Sequence, residues 1–280
     1  SDLTCAMTGP ARLALLLLSL LGVGGGRARR AGGAAFLTRP GIKSLVRAGR
    51  PQPAFQGQEA PQSVELSDKL NEWAVSTLKG GIDIIMHDRP FARFYALETI
   101  ARVPYFGYLC VLHLKETLGW VRDSELLQIH FSEAWNELQH LRIMKALDGD
   151  ARFADRFVAQ HAAFAYFWVA VVLYLVNPSF AYNLNQHVEE HAFRTYDDFI
   201  GEEEKWLRGQ PVPAVAREYY EAEDLYLFDQ FQTIQVQGPK PRRPRLNSLY
   251  DVFVAIRDDE LEHAATMRDL IDRGDDQRGP

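Results

Sequence analysis

From residue 64 onward the apolar positions recur in steps of three and four, the period of one helix face. They show no clear step-of-two alternation of the kind that marks a strand. Leu66, Leu70, Trp73, Ala74 and Leu78 predict a short amphipathic helix. A second is expected from about Pro90 to Leu118, closing before Gly119. A third starts with Asp123 as N-cap and ends before Gly149, and a fourth covers about Ala151 to Val176. Asn177-Pro178 reads as an N-cap followed by a first-turn proline, opening a fifth helix that reaches about Leu207. Residues 209–247 hold five prolines and read mainly as loop, with a short helix around Ala214–Glu221. Ser248 caps a last helix that stops before Gly274. The pattern predicts an all-α fold.

Four of these stripes are interrupted by acids where a bundle core should be apolar. They read Phe91, Phe94, Glu98, Ala101, Tyr105, Tyr108; then His130, Glu133, Glu137, His140, Met144, Leu147. The fifth and last helices give Tyr182, Asn185, Glu189, Ala192, Tyr196, Phe199 and Phe253, Ile256, Glu260, His263, Met267, Leu270. Each long helix turns a Glu toward the seam, and two follow it with His three residues on. Residues so spaced lie roughly 5–6 Å apart on one face, so a carboxylate and an imidazole reach the same metal or adjacent ones. One Glu-x-x-His alone is usually a solvated surface pair. Two of them, with two single Glu residues on matching helices, form the ligand set of ferritin-like di-iron carboxylate bundles.

Charge points the same way. Four buried carboxylates without cations are prohibitively costly. Two divalent irons balance them, and so does a diferric pair bridged by one oxide. Oxygen-rich ligation with two imidazoles favours iron or manganese over zinc or copper. The expected ligands are Glu98, Glu137, His140, Glu189, Glu260 and His263. Asn136 and Asp259 each precede a ligand Glu and are candidates to orient the ligands. Tyr196, two turns beyond Glu189, is either an electron and proton donor or an ordinary core tyrosine. His191 and Glu190 either hydrogen-bond the site or face outward.

Composition sharpens this picture. The 280 residues are 47% hydrophobic and 24% charged, ordinary for a globular protein. A net charge of -6 argues against a nucleic-acid partner. The body of the chain has no basic block beyond Lys240, Arg242, Arg243 and Arg245. Two cysteines, Cys5 and Cys110, leave no disulfide framework and no Cys-based metal site. Residues 1–58 carry eight Lys/Arg against Asp2 alone, with an apolar run from Leu13 to Val23 and a Gly/Ala/Arg-rich stretch after it. That is either a two-part leader, signal plus transit-like, or a single secretory leader or basic tail. The domain proper is then 59–280. Between Phe157 and His187 there is no Asp, Glu, Lys or Arg. The helix there is interfacial at a membrane, buried in the bundle, or spanning, although its apolar core is short for spanning.

At the ligand segments the chain resembles the alternative oxidases, and more closely their plastid branch. The segments are Leu97 to Phe106, His130 to Glu137, Val188 to Ala192 and Arg257 to His263. The likeness covers roughly residues 65–272. It implies a membrane-bound enzyme with two non-haem irons that oxidises two quinols, here plastoquinol, and reduces dioxygen to two waters. It assigns the six ligands above, makes Tyr196 the redox-linked tyrosine, and places Arg93 and Thr195 at the quinone head group. It further implies a monotopic protein with its first and fourth helices in one leaflet, a homodimer and a thylakoid location. The long segment containing Asp224 to Asp229 favours the plastid branch. Gln139 and Leu261 depart from the usual residues beside His140 and Glu260. The rival reading is a di-iron quinone-ring hydroxylase, which inserts oxygen into its substrate.

Overall fold

The computed structural model describes residues 62–86, 88–120, 123–232 and 240–276. The chain divides into two units, Ser1–Gln56 and Gly57–Pro280. The first unit lies outside the described residues, and with it nearly all of the leader expected over 1–58. In the second the helices are α1 (Gln62–Ile85), α2 (Pro90–Thr117), α3 (Ser124–Ala146), α4 (Phe153–Val176), α5 (Pro178–Leu207), α6 (Ala214–Tyr220), α7 (Tyr226–Phe231) and α8 (Leu249–Asp276). There is no strand among the described residues.

The helices α2, α3, α5 and α8 form a four-helix bundle, the all-α architecture the stripes predict. In this bundle α5 packs along α8, and α2 along α3. Outside it, α4 covers α2, α1 lies on α5, and α6 and α7 close over α3. Of the four stripes, every residue is buried except Phe91 and Leu147, which are half-buried. Two apolar clusters result. One gathers Phe94, Tyr196, Phe199, Phe253 and Ile256. The other gathers Tyr105, Tyr108, Tyr174, Tyr182, Met267 and Leu270. The acidic residues of the stripes lie between them.

Local chemistry sets most helix ends. Asp123 accepts the N–H of Leu126 at 3.0 Å, and Asn177 accepts that of Phe180 at 3.2 Å, each satisfying an orphan donor of the first turn. Gly119, at φ +81°, ends α2 in the left-handed region. At the end of α3 a Cβ on Gly149 would sit 2.5 Å from the carbonyl oxygen of Phe91, so glycine is what lets α3 close against the start of α2.

Three elements differ from expectation. The first helix is 24 residues long rather than ending near Leu78. It continues through Gly80-Gly81 because Met86 and Ile82 beyond them pack into the core, outweighing the helix cost of about 1 kcal/mol per glycine. The last helix passes Gly274, where the missing side chain allows close approach rather than a stop: a Cβ there would lie 3.3 Å from Ser179 Oγ. A further short helix, α7, stands in the segment read as loop, with Asp224 accepting the N–H of Tyr226 at 3.0 Å.

α4 is the one described helix long and apolar enough to cross a membrane, and 22% of its most apolar stretch is buried. Its buried residues are mainly small, Ala159, Ala163 and Ala170, while Phe164, Trp168, Val169, Val172 and Leu175 are exposed. The fully buried alternative therefore does not hold. On α1, Leu70, Trp73, Ile84 and Ile85 are also exposed.

Candidate metal centre

Each bundle helix carries its Glu to the same level of the core. Glu98, Glu137, His140 and Glu260 are fully buried and offer ligand atoms within 4.8 Å of one another. His263 joins them with Nε2 at 3.1 Å from Glu137 Oε1. Glu189 adds its charge beside Glu260 and accepts the hydroxyl of Tyr105 at 2.8 Å. On these six side chains, all inaccessible to solvent, eight nitrogen and oxygen atoms have no hydrogen-bond partner. Buried polar atoms are rarely left so, and a cluster of orphaned acceptors calls for cations. The donor set fits a pair of hard, oxygen-liking metal ions.

The two histidines are set alike. His140 Nε2 lies 3.0 Å from Asp259 Oδ2, and His263 Nε2 lies 2.8 Å from Asn136 Oδ1. In both rings Nδ1 has no hydrogen-bond partner, although His140 Nδ1 sits 3.1 Å from Glu260 and 3.6 Å from Glu98. Anchoring one ring nitrogen fixes the orientation of the other. Asp259 is itself held by Arg242, by Tyr220 at 2.8 Å and by Asn136 at 2.9 Å, while Asn136 also reaches Tyr219 at 2.7 Å.

The ionisation of the cluster follows. Burial and the charges of Glu260, Glu98 and Glu189 push the Glu137 carboxyl far up. Burial does the same at Glu189. Glu260 rises to about 7, mainly through burial. Burial opposes protonation of His140, but its hydrogen bond with Asp259 and the nearby carboxylates of Glu260 and Glu98 overcome it and its value is raised. His263, buried beside His140, is pushed well down. Asp259 is desolvated too, yet Arg242 and His140 hold its carboxyl below the usual range.

Tyr196 is wholly buried, stacks on Phe94 at 4.4 Å and donates its hydroxyl to Glu98, so it touches the cluster through α2. Arg93 and Thr195 face one cleft, lined also by Val75, Lys79, Ile82 and Leu97 from α1 and α2. His191 lines the cleft near Ser76, and Glu190 pairs with Arg268 and Arg194; both face away from the cluster. Gln139 is buried and accepts from Arg142 at 2.8 Å.

Sequence reasoning passed over Arg242, in the segment read as loop, and the Tyr219-Tyr220 pair, on the short helix expected around Ala214–Glu221. The one signal was a cation set among prolines, and a solvated side chain gives the same signal. Tyr105, on the stripe of α2, was read as core and not as a partner of Glu189.

The family profile described as "Alternative oxidase" matches residues 55–272. The chain is 47% identical over 205 residues to "Ubiquinol oxidase 4, chloroplastic/chromoplastic" of Arabidopsis thaliana, covering 73% of this chain and 58% of that protein. It is 26% identical over 197 residues to "Ubiquinol oxidase 1, mitochondrial" of Nicotiana tabacum, covering 70% of this chain and 50% of that one. It is 28% identical over 200 residues to "Ubiquinol oxidase 2, mitochondrial" of the same plant, covering 70% and 59%. The chain thus spans between half and three-fifths of the length of these relatives.

Proposed function

This chain belongs to the alternative oxidase family, and on that premise we propose that it is a membrane-bound quinol:oxygen oxidoreductase of a plastid. In this reading it oxidises two plastoquinols for each dioxygen reduced to two waters. The observation that carries it is the set of eight orphaned ligand atoms on six buried side chains. Glu98, Glu137, His140, Glu189, Glu260 and His263 are the residues that would hold two irons. Bound there, the irons supply the redox chemistry that couples quinol oxidation to dioxygen reduction.

The chain's own residues position, insulate and handle protons. Arg242, through Asp259, fixes His140 with Nδ1 toward the carboxylates, and Asn136 holds Nε2 of His263 beside Glu137. Tyr196 holds its phenolic proton against Glu98, and Tyr105 holds one against Glu189. The two aromatic clusters keep water away, which strengthens every charge interaction between them. Quinol binds in the cleft of Arg93 and Thr195, whose walls are mostly apolar and whose third side is α1.

Likeness to the plastid relative, at 47% against 26% and 28% for the mitochondrial ones, supports the plastid assignment. The exposed apolar residues of α4 and α1 support a monotopic seat in one leaflet of the thylakoid, from which a lipid-dissolved quinol reaches the cleft without crossing water. The family resemblance further suggests a homodimer, a removable leader over residues 1–58 and an oxidase domain over 59–280.

Oxygen uptake by the reconstituted protein supplied with plastoquinol, with iron assayed on the same sample, tests the reading. Two quinols per dioxygen, two irons per chain and a quinone of unchanged mass are expected. A heavier quinone product would make it the hydroxylase instead. Arg93→Gln should raise KM for quinol about 10-fold, the loss of one charge-assisted hydrogen bond, while leaving iron content unchanged.

A further inference from the structure

A line of hydrogen-bonding groups leaves the candidate centre on the side opposite the quinol cleft. Glu133 lies one turn before Glu137 on α3, is 1% exposed, and has one carboxylate oxygen, Oε1, with no partner. Its other oxygen lies 3.2 Å from His130 Nδ1. His130 Nε2 lies 3.0 Å from the Tyr182 hydroxyl, and that hydroxyl lies 2.8 Å from the hydroxyl of Tyr174. Tyr174 and Tyr182 both line a cavity of about 650 Å³, whose walls combine apolar Leu112, Leu126 and Leu175 with Lys115, Asp123, Glu125 and Arg273. Arg273 and Glu125 on its lining are exposed, so water reaches it.

The inner end of the line is also polar. Asn185, one turn before Glu189, has both amide atoms unpartnered, and Thr266, in the turn after His263, has an unpartnered hydroxyl. All three residues are at most 1% exposed. Each lies on the side of the ligand layer where Tyr105, Tyr182 and Met267 cluster. Orphaned polar atoms in a core are ordinarily joined by ordered water. Burial holds the His130 imidazole neutral, at about 3, so it keeps one N–H and one free nitrogen.

We infer that Tyr174, Tyr182, His130 and Glu133 form the proton inlet of this centre, ending in water held by Glu133, Asn185 and Thr266. The inference rests on the oxidase reading above, because dioxygen reduced to two waters takes up four protons with its four electrons. The quinols supply the electrons and release their protons at the cleft of Arg93 and Thr195. Thr195 and Tyr182 stand on opposite sides of Glu189 along α5, about 20 Å apart at 1.5 Å per residue, so release and uptake occur at opposite ends. In one transfer cavity water protonates the Tyr174 oxygen as that hydroxyl passes its own proton to Tyr182. Tyr182 passes one to His130 Nε2, and Nδ1–H gives one to Glu133, whose Oε1 hands a proton to the inner water. Each group gains one proton and loses one.

The test uses the full chain, iron-loaded and reconstituted with plastoquinol. Tyr182→Phe removes one hydroxyl and keeps the ring. It should lower turnover about 10-fold and raise the solvent deuterium isotope effect above that of the unaltered protein, with iron per chain unchanged. Glu133→Gln should act in the same direction and more strongly. A high-resolution crystal structure should also show ordered water joining Glu133 Oε1, Asn185 and Thr266. Tyr182→Phe with full iron, unchanged turnover and an unchanged isotope effect would overturn the inlet, and so would a dry core at those three residues. An unaltered protein that binds iron but reduces no dioxygen would instead sink the oxidase reading, and the inlet with it.

Discussion

The neighbouring helices α4 and α5 are built on opposite plans, although only Asn177 separates them. α5 buries Tyr182, Asn185, Glu189 and Tyr196 and turns Asp197, Asp198 and three consecutive glutamates, Glu202 to Glu204, to solvent. α4 buries alanines and shows its phenylalanines, tryptophan and valines to the outside. In water the second plan is unfavourable, since each exposed large apolar side chain forgoes about 1.5–3 kcal/mol of burial. Polarity inside α5 and apolarity outside α4 are what the proposed metal centre and the proposed membrane seat respectively require.

The heaviest blow to that contrast is Glu189→Ala on α5. It removes one of four carboxylates from the cluster, so metal affinity and oxygen uptake should fall by about 100-fold or more, while circular dichroism stays helical. Metal analysis and an oxygen electrode measure both. Full iron and normal uptake would remove Glu189 from the site.

The same cluster gives the metal-stripped protein an unusual dependence on pH. Glu260 has its folded value raised from the ordinary 4.5 to about 7, first through burial and then through the charge of Glu98, against a hydrogen bond with His140. Between those values the folded chain holds a proton that the unfolded chain has released. The stability contributed by Glu260 is therefore fully present below about 4.5 and is lost as pH rises through about 7. Glu137 and Glu189, raised in the same direction, extend the loss upward. The melting temperature of the stripped protein should drop several degrees across this range, whereas iron-loaded protein should not show the drop. Parallel melting curves for the two forms would deny that the carboxylates and the metal offset each other.

How far this was legible beforehand differs between the two helices as well. The stripe of α5 and its cap were readable because a 3.6-residue period and an Asn-Pro pair are local signals. That six acids and imidazoles would lie buried on the core seam was readable from the same stripes. Of the partners that hold them, Asn136 and Asp259 were named from their place beside a Glu of the seam, but the groups that hold Asp259 in turn were not. Arg242 reaches Asp259 from a proline-rich stretch, and nothing local separates that cation from the solvated Arg245 nearby. For α4 the sequence left interfacial, buried and spanning readings open, since composition alone does not say which face packs. The exposure of Trp168 and Val172 removed the buried one. In α1 the apolar stripe was followed only to Leu78, because the packing of Met86 lies beyond any local window.

On α4 the matching experiment is Trp168→Glu with Val172→Glu. Both side chains are exposed, so the fold should keep its melting temperature in detergent within a few degrees. Binding to lipid vesicles should fall by at least about 10-fold, since two large apolar contacts with lipid are exchanged for charges. Flotation with vesicles of thylakoid-like lipids measures it. Undiminished binding would return the outer face of α4 to a protein partner. Placing Glu at Ala192 of α5, which is fully buried, should unfold the bundle instead.

The smallest effect is expected at the junction itself. Asn177 receives the N–H of Phe180 at 3.2 Å, while its own N–H closes the last turn of α4 on Leu173 at 2.7 Å. Asn177→Ala keeps the second bond and loses the first, leaving an orphan donor at the start of α5. Loss of such a cap costs about 1 kcal/mol, or roughly 2–4 °C of melting temperature in a domain of this size. Asn177→Asp, which still accepts the bond and adds a charge favoured at a helix N-terminus, should hold or slightly exceed the original value. If alanine and aspartate melt alike, the side chain plays no part in dividing the two helices. Pro178, which cannot donate to the last turn of α4, then makes the break alone.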